Sequence, residues 1–577
     1  MIPVRAYLAL LSSNLDGLGR RVAALVAALL GALALALVNP QLLRSVIDGA
    51  LAGESGSSLV PLAALFVVVA LAHQVVSVVS TWLAEDVGWR ATNRLRADLT
   101  AHVLGLDMGF HGHHSPGHLI ERVDGDVTAL SNFFSAMVVK VVGNGLLILG
   151  IIVLVARESW LLGLVVGGLV VTALVGFGRL HGVAVPWWTA VSATQAEMYG
   201  QVGEQVDGTE DIVPNGAAGF MQERFADRLR TYLPQMVRGW TGFAMMWGAS
   251  QLLSSLMTVG VYLLGAWLFG VGRLSVGTIF LVVYYVEMIE RPLHQLRDQF
   301  QDLQKAGGAV VRVRDLLDVQ PVLAPGGGTP VPDGPLSVAF EDVHFAYGPD
   351  DPRVLHGVDL ALAPGRSLGL IGRTGSGKST IARLAVRLHD VDAGVVRLGG
   401  VAIGDVEDLR RHVGMVTQDV QLFRASVRDN LTFFDPSVPD QRLLDVIDEL
   451  SLGPWFATLP AGLDTVLDGD DLSAGQAQLL AFARIFLHDP GLVVLDEASS
   501  RLDPLTEAML ERAIDRLLAD RTAIVIAHRL HTLHRVDDVM VLDEGRVVEH
   551  GPRDVLAADP TSRFSHLLAT GMEEVLT

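Results

Sequence analysis

Apolar runs long enough to cross a lipid bilayer occur at about six places before residue 305, and they rule out a soluble globule. The clearest, Val22 to Leu43, contains no charge, and a second runs from Leu59 to Leu83. Val141 to Ala156 and Leu161 to Gly178 form a close pair, parted by a short segment holding Arg157 and Glu158. The last two are Trp240 to Phe269 and Val276 to Glu287 onward. The first run is too long for a cleavable signal peptide and lacks a cleavage-type end.

Arginine placement orients the spans. Arg90, Arg94, Arg96 and Arg122 lie between spans two and three. Arg179, Arg224, Arg228, Arg230 and Arg238 lie between four and five, while the other connections are short and nearly free of Lys and Arg. The long connections and both termini are therefore expected in the cytoplasm of a multi-pass cell-membrane protein. Half the residues are apolar, and mean hydropathy is +0.41. A net charge of −20 argues against nucleic acid as a partner. With no cysteine, the chain has no disulfide framework or thiolate metal site.

The C-terminal half carries a phosphate-binding loop, Gly372-Arg373-Thr374-Gly375-Ser376-Gly377-Lys378-Ser379, followed by Thr380. Glycines let backbone N–H groups close around phosphates, and a helix starting near Lys378 adds its positive end. Lys378 suits the β- and γ-phosphates, and the Ser379 hydroxyl suits Mg²⁺. A nucleoside triphosphate is the expected ligand. Further on, Val493-Val494-Leu495 reads as a buried strand that delivers Asp496 and Glu497 at its end. Asp496 would hold the metal shell, and Glu497 would polarise the attacking water. A helix from Ala477 to Leu487 follows Leu472-Ser473-Ala474-Gly475-Gln476.

These segments together resemble the nucleotide-binding domain of an ATP-binding cassette (ABC) transporter. Leu472 to Gln476 is similar to the family signature L-S-G-G-Q, with Ala474 in place of a glycine. The resemblance implies ATP and Mg²⁺ as cofactors and a head-to-tail cassette dimer. Ser473, Gly475 and Gln476 would then serve the nucleotide held by the partner, as would Asp503, which matches the D-loop aspartate. Tyr347 matches the adenine-stacking aromatic. Gln418 matches the glutamine that touches metal and water, and His528 the switch histidine near the γ-phosphate.

The whole pattern resembles an exporter-type half-transporter: a multidomain membrane protein with an all-α six-helix transmembrane domain and an α/β P-loop NTPase domain. The expected division is an interfacial elbow helix over 1–21, a membrane domain with long cytoplasmic extensions over 22–305, a linker over 306–335, and a cassette over 336–577. Coupling bends are expected near Gly109 to Gly117 and Pro214 to Met221. The implied activity is ATP-driven export of a hydrophobic or amphipathic small molecule, lipid or peptide by alternating access. Import of the siderophore type and an ATP-gated channel are the alternatives. A second half-transporter chain is required. Val466-Leu467-Asp468-Gly469-Asp470 stands where the family has V-G-E-x-G, and with Ala474 and Arg501 it favours a heterodimer.

Several residues invite competing readings. His111, His113, His114 and His118 lack the regular spacing of a metal site, and a solvated coupling loop is expected. Glu287 and Arg291 are spaced for an intrahelical ion pair, which would neutralise both. Alternatively Glu287, with Tyr284 and Tyr285, faces the central cavity and receives a cationic substrate. Pro186-Trp187-Trp188 reads as an interfacial anchor, and Lys140 as a snorkelling side chain.

Overall fold

The computed structural model describes residues 17–323, 326–418, 420–467, 472–496, 504–527 and 533–570. The chain forms two units. One holds the helices up to Leu104 and those from Pro116 to Val319; the other joins Gly105–Ser115 to everything from Gln320 onward.

Among the described residues, six long helices build the first unit. They are α1 (Gly19–Leu51), α2 (Gly56–Leu104), α4 (Pro116–Glu158), α5 (Trp160–Asp207), α7 (Ala218–Gly270) and α8 (Val276–Asp318); α3 (Met108–His113) belongs to the second unit and α6 is the short turn Thr209–Ile212. The 53 residues of α7 correspond to about 80 Å of helix against a hydrocarbon core of about 30 Å, so its polar half continues well outside the bilayer. Segments of α1, α2, α4, α5 and α7 are long and apolar enough to span a membrane. The α8 stretch is less apolar because Glu287, Glu290 and Arg291 fall within it.

Apolar faces of α4, α5, α7 and α8 meet in one core, where Ile151, Leu162, Val166, Leu281 and Ile289 are buried. Polar ties fix the helix ends. At the close of α1, the Asp48 carboxylate accepts from Ser275 Oγ (2.8 Å) and Gly277 N–H (2.9 Å) at the start of α8. Arg44 donates to Glu158 at 2.7 Å, joining α1 to the end of α4.

The second unit carries two sheets. Strands β1 (Val338–Phe345), β2 (Leu355–Leu362), β4 (Ala393–Leu398) and β5 (Val401–Ala402) form an antiparallel sheet in the order β2-β1-β4-β5. The other sheet runs β10-β9-β3-β8-β7-β6, with β3 (Ser367–Gly372), β6 (Val413–Val416), β7 (Leu492–Asp496), β8 (Thr522–Ile526), β9 (Asp538–Asp543) and β10 (Arg546–Pro552). Its parallel strands are buried on both faces, which is why they read as unbroken apolar runs. Register levels their carboxyl ends: Leu370 and Asp496 both pair with Ile526, and Val416 pairs with Leu495. Loops leaving these strands therefore converge on one edge, the usual ligand edge of such a sheet.

Candidate nucleotide site and membrane groove

The phosphate loop leaves β3 at that edge and enters α9 (Lys378–Ala385). Gly377 caps α9 with φ of +104°, a left-handed conformation that glycine adopts freely. At Gly372 a Cβ would lie 2.2 Å from the Leu542 carbonyl oxygen and 2.6 Å from Ser376 Oγ, so only glycine allows this approach. Lys378 Nζ folds back over the loop and donates to the carbonyls of Gly372 (2.6 Å) and Arg373 (2.9 Å). Burial pushes its ammonium below the ordinary lysine range, against the opposing pull of Asp496. Ser376 Oγ is buried and has no hydrogen-bond partner among the described residues, a cost that an incoming acceptor would relieve.

Ser379 is half-buried in the first turn of α9, and Asp496 is half-buried at the end of β7. A hydroxyl and a carboxylate are hard oxygen donors, so the residues present fit Mg²⁺. Gln418 is exposed just beyond β6, at the same edge. Glu497, His528 and Asp503 lie outside the described residues.

Tyr347 stands beside α9. Its hydroxyl shares a hydrogen bond with Thr380 Oγ1 (3.0 Å) and accepts from Arg383 Nη1 (3.0 Å). Phe345 and His389 meet its ring edge-on at 5.0 and 5.3 Å. A cavity of about 580 Å³ adjoins it, with Asp107, Phe345, Tyr347, Arg353 and His389 among its walls. Burial, reinforced by Arg383, pushes His389 below the ordinary imidazole range, and Asp107 opposes this. Nothing in the sequence marked Arg383 or His389, because their tie to Tyr347 is made by folding.

The signature opens a helix, α10 (Ala474–His488), with Ser473 as its N-cap. Gln476 N–H donates to Ser473 Oγ (3.3 Å), and Ser473 N–H donates to Gln476 Oε1 (3.0 Å). This capping box satisfies two otherwise orphaned donors. Gly475 is buried, whereas Ala474 is exposed, so among the described residues its extra methyl meets no obstacle. The helix starts earlier than the expected Ala477.

The membrane unit revises two expectations. Tyr285 is fully buried; its hydroxyl donates to the Leu37 carbonyl (2.7 Å) and accepts from Gln41 Nε2 (3.1 Å). It joins α8 to α1 and is not among the walls of the groove that holds Tyr284. Glu287 and Arg291, despite their spacing, make no ion pair among the described residues, and both are exposed. Glu290 is the acid that finds a partner, with His294 Nε2 at 3.7 Å. Glu287 and Tyr284 instead line a groove of about 270 Å³ with Tyr262 and Phe280. Trp188 meets Trp240 edge-on at 6.2 Å, packing α5 on α7. In the histidine-rich bend, His114 stacks on Phe110 and its Nδ1 bonds the Phe110 carbonyl at 2.9 Å.

Residues 22–293 match the ABC transporter transmembrane region and residues 355–500 the ABC transporter domain. The chain is 30% identical over 524 residues to the ATP-dependent lipid A-core flippase of Idiomarina loihiensis, covering 89% of each. It is 29% identical over 470 residues to a fatty acid ABC transporter ATP-binding/permease protein of Mycobacterium tuberculosis, covering 81% of this chain and 74% of that one. Over 247 residues it is 42% identical to the mycobactin import ATP-binding/permease protein IrtA of Mycolicibacterium smegmatis, covering 42% of this chain and 28% of the relative. The solved structure of a bacterial Atm1-family ABC exporter with ATP bound superposes with a TM-score of 0.79 at 25% identity, covering 96% of this chain and 98% of that one. The chain belongs to the ABC transporter family, as an ATP-hydrolysing half-transporter with the exporter fold, set in the membrane by several spans and carrying a cytoplasmic cassette.

Proposed function

We propose that the protein exports or flips a hydrophobic or amphipathic molecule (a small compound, lipid or peptide) by alternating access driven by ATP. One observation carries the reading: a glycine cradle with a buried Ser376 hydroxyl, unpartnered among the described residues, and an inward-folded Lys378 sits in the same chain as a membrane unit of six long described helices. The lipid A-core flippase relative, matched along most of both chains, supports the substrate range.

In this reading residues 372–380 bind the phosphates, Tyr347 takes the base, and Lys378 gives up its two carbonyls for phosphate oxygens. Ser379, Gln418 and Asp496 would hold Mg²⁺, which when bound neutralises charge on the phosphates. Glu497 orients and deprotonates the attacking water, and His528 contacts the γ-phosphate end. Ser473, Gly475, Gln476 and Asp503 complete the site of a second chain. ATP must then favour the closed cassette pair by about 5.5 kcal/mol to switch the population nearly fully.

Glu497→Gln tests the catalytic assignment. ATP binding should persist while turnover stalls; normal hydrolysis would transfer the role to another residue. The departures at 466–470, Ala474 and Arg501 favour a different second chain, and strong ATPase activity of this chain purified alone would remove that need. The 42% identity over 247 residues to a mycobactin import protein supports import as the second reading. ATP-dependent accumulation in inside-out vesicles indicates export, and uptake into right-side-out cells indicates import. ATP-dependent current without uphill accumulation would indicate a channel.

A further inference from the structure

With the start of α8 taken as the membrane surface, Glu287 stands about 16 Å along the helix from Val276 at 1.5 Å of rise per residue, close to the middle of a hydrocarbon core of about 30 Å. Its side chain is exposed on the protomer, and among the described residues it has no hydrogen bond or ion pair. A bare carboxylate at that depth is tolerated only where water, a partner chain or a ligand meets it. Among the described residues the neighbouring cations give no relief, since Arg291 does not reach it and His294 is engaged with Glu290.

What surrounds the carboxylate narrows the ligand. The groove's walls include Tyr262 from α7 and Ile279, Phe280, Val283 and Tyr284 from α8, with Glu287 as the one charged group. Aromatic faces attract cations through their quadrupoles, and they do so best where water is scarce. The aliphatic and aromatic wall accepts an apolar body. An anion would be repelled by Glu287, and a neutral molecule would leave its carboxylate unpaired. A small, strongly hydrated cation would gain nothing from the wall. These demands meet in a bulky organic cation with its charge shielded by apolar groups.

We propose that the groove between α7 and α8 is a binding site for hydrophobic organic cations, with Glu287 as the charge-selecting residue. This rests on the reading that the chain carries amphipathic molecules through its membrane unit.

Tetraphenylphosphonium and tetraphenylborate, near-identical in shape and opposite in charge, provide matched probes. Binding is measured on the assembled transporter in nanodiscs without nucleotide, with empty discs subtracted. Saturable phosphonium binding is expected, weakened at least tenfold by Glu287→Gln, largely kept by Glu287→Asp, and weakened by Phe280→Ala. Tetraphenylborate should bind no more weakly to Glu287→Gln than to the parent. Equal saturable binding of both ions overturns the proposal, as does phosphonium binding unchanged in Glu287→Gln. If Glu287 instead pairs with a cation of the second subunit, Glu287→Gln separates the subunits and charge selectivity is absent from the parent, which also overturns it. ATP-driven vesicle uptake is scored separately, so intact phosphonium binding without uptake counts against the transport reading alone.

Discussion

Arg312 grips Asp126 with two parallel hydrogen bonds, Nε to Oδ2 at 2.9 Å and Nη2 to Oδ1 at 2.5 Å, joining α8 to α4 in the membrane unit. Asp126 is 5% exposed, so its charge depends on that guanidinium. Removing one partner of a buried pair strands the other. Arg312 itself is half-exposed, which lets water compensate in part. Arg312→Ala should destabilise the unit by about 1.5–3 kcal/mol, in the range of hydrogen bonds to charged groups. Asp126→Asn combined with Arg312→Gln should recover part of that loss, because no buried charge remains. Thermal unfolding in detergent measures both, and a double variant weaker than Arg312→Ala would contradict the argument.

Local and long-range features were unequally readable in the sequence. The phosphate loop, the signature and the acidic strand end are contiguous, so residue type and spacing carried them. Five of the membrane helices showed because each holds a run apolar over a bilayer's thickness, whereas α8 carries Glu287, Glu290 and Arg291 within its apolar stretch. Tyr285 was misplaced because adjacent residues on a helix point about 100° apart, and Tyr284 and Tyr285 therefore face different neighbours. Spacing also suggested a Glu287–Arg291 pair, which is permitted by helix geometry without being required. The Arg312–Asp126 and Tyr347–Arg383 ties join residues far apart in sequence, where no local pattern could reveal them.

The reciprocal cap between Ser473 and Gln476 makes the signature both a helix start and, in the proposed dimer, a nucleotide contact. Ser473→Ala removes the cap and should cost about 1 kcal/mol of cassette stability. Ser473→Asp restores a capping oxygen and so the stability, but puts a negative charge where the partner's phosphates would sit. A stable, ATPase-poor Asp variant is therefore expected. If Ser473→Asp proved as active as the parent, the signature would not face phosphate.

Histidine burial gives the cassette a pH dependence of known sign. His389 is lowered by burial and by Arg383, and His550 is lowered by burial against the pull of Asp538. The folded protein thus binds fewer protons than the unfolded chain at pH values near and below 6.5. Stability should fall as pH drops through that range and level off above it. His389→Gln should remove its share of the slope without altering stability trends above pH 7.5. Melting temperatures of nucleotide-free protein across the range check this, and an unchanged slope would exclude His389 as a contributor.

Asp107 ties the start of α3 to Val322, in the segment that follows α8, both within the second unit. Its Oδ1 accepts from Phe110 N–H (3.1 Å) as the N-cap, and its Oδ2 accepts from Val322 N–H (2.8 Å). Burial alone would raise its pKa, but the backbone donors of Val322, Phe110 and Gly109 outweigh it and hold the carboxyl below the usual range. A depressed carboxylate contributes stability at neutral pH that is lost as pH falls below the unfolded value of 3.8. Asp107→Ala should therefore cost about 1 kcal/mol or more through the lost cap. Hydrogen exchange should speed up at both Phe110 and Val322. Asp107→Asn keeps an acceptor for only one of the two amides, so protection should survive at one and fall at the other. Equal protection of both amides in Asp107→Ala would show that packing of the bend, rather than this carboxylate, holds the two segments together.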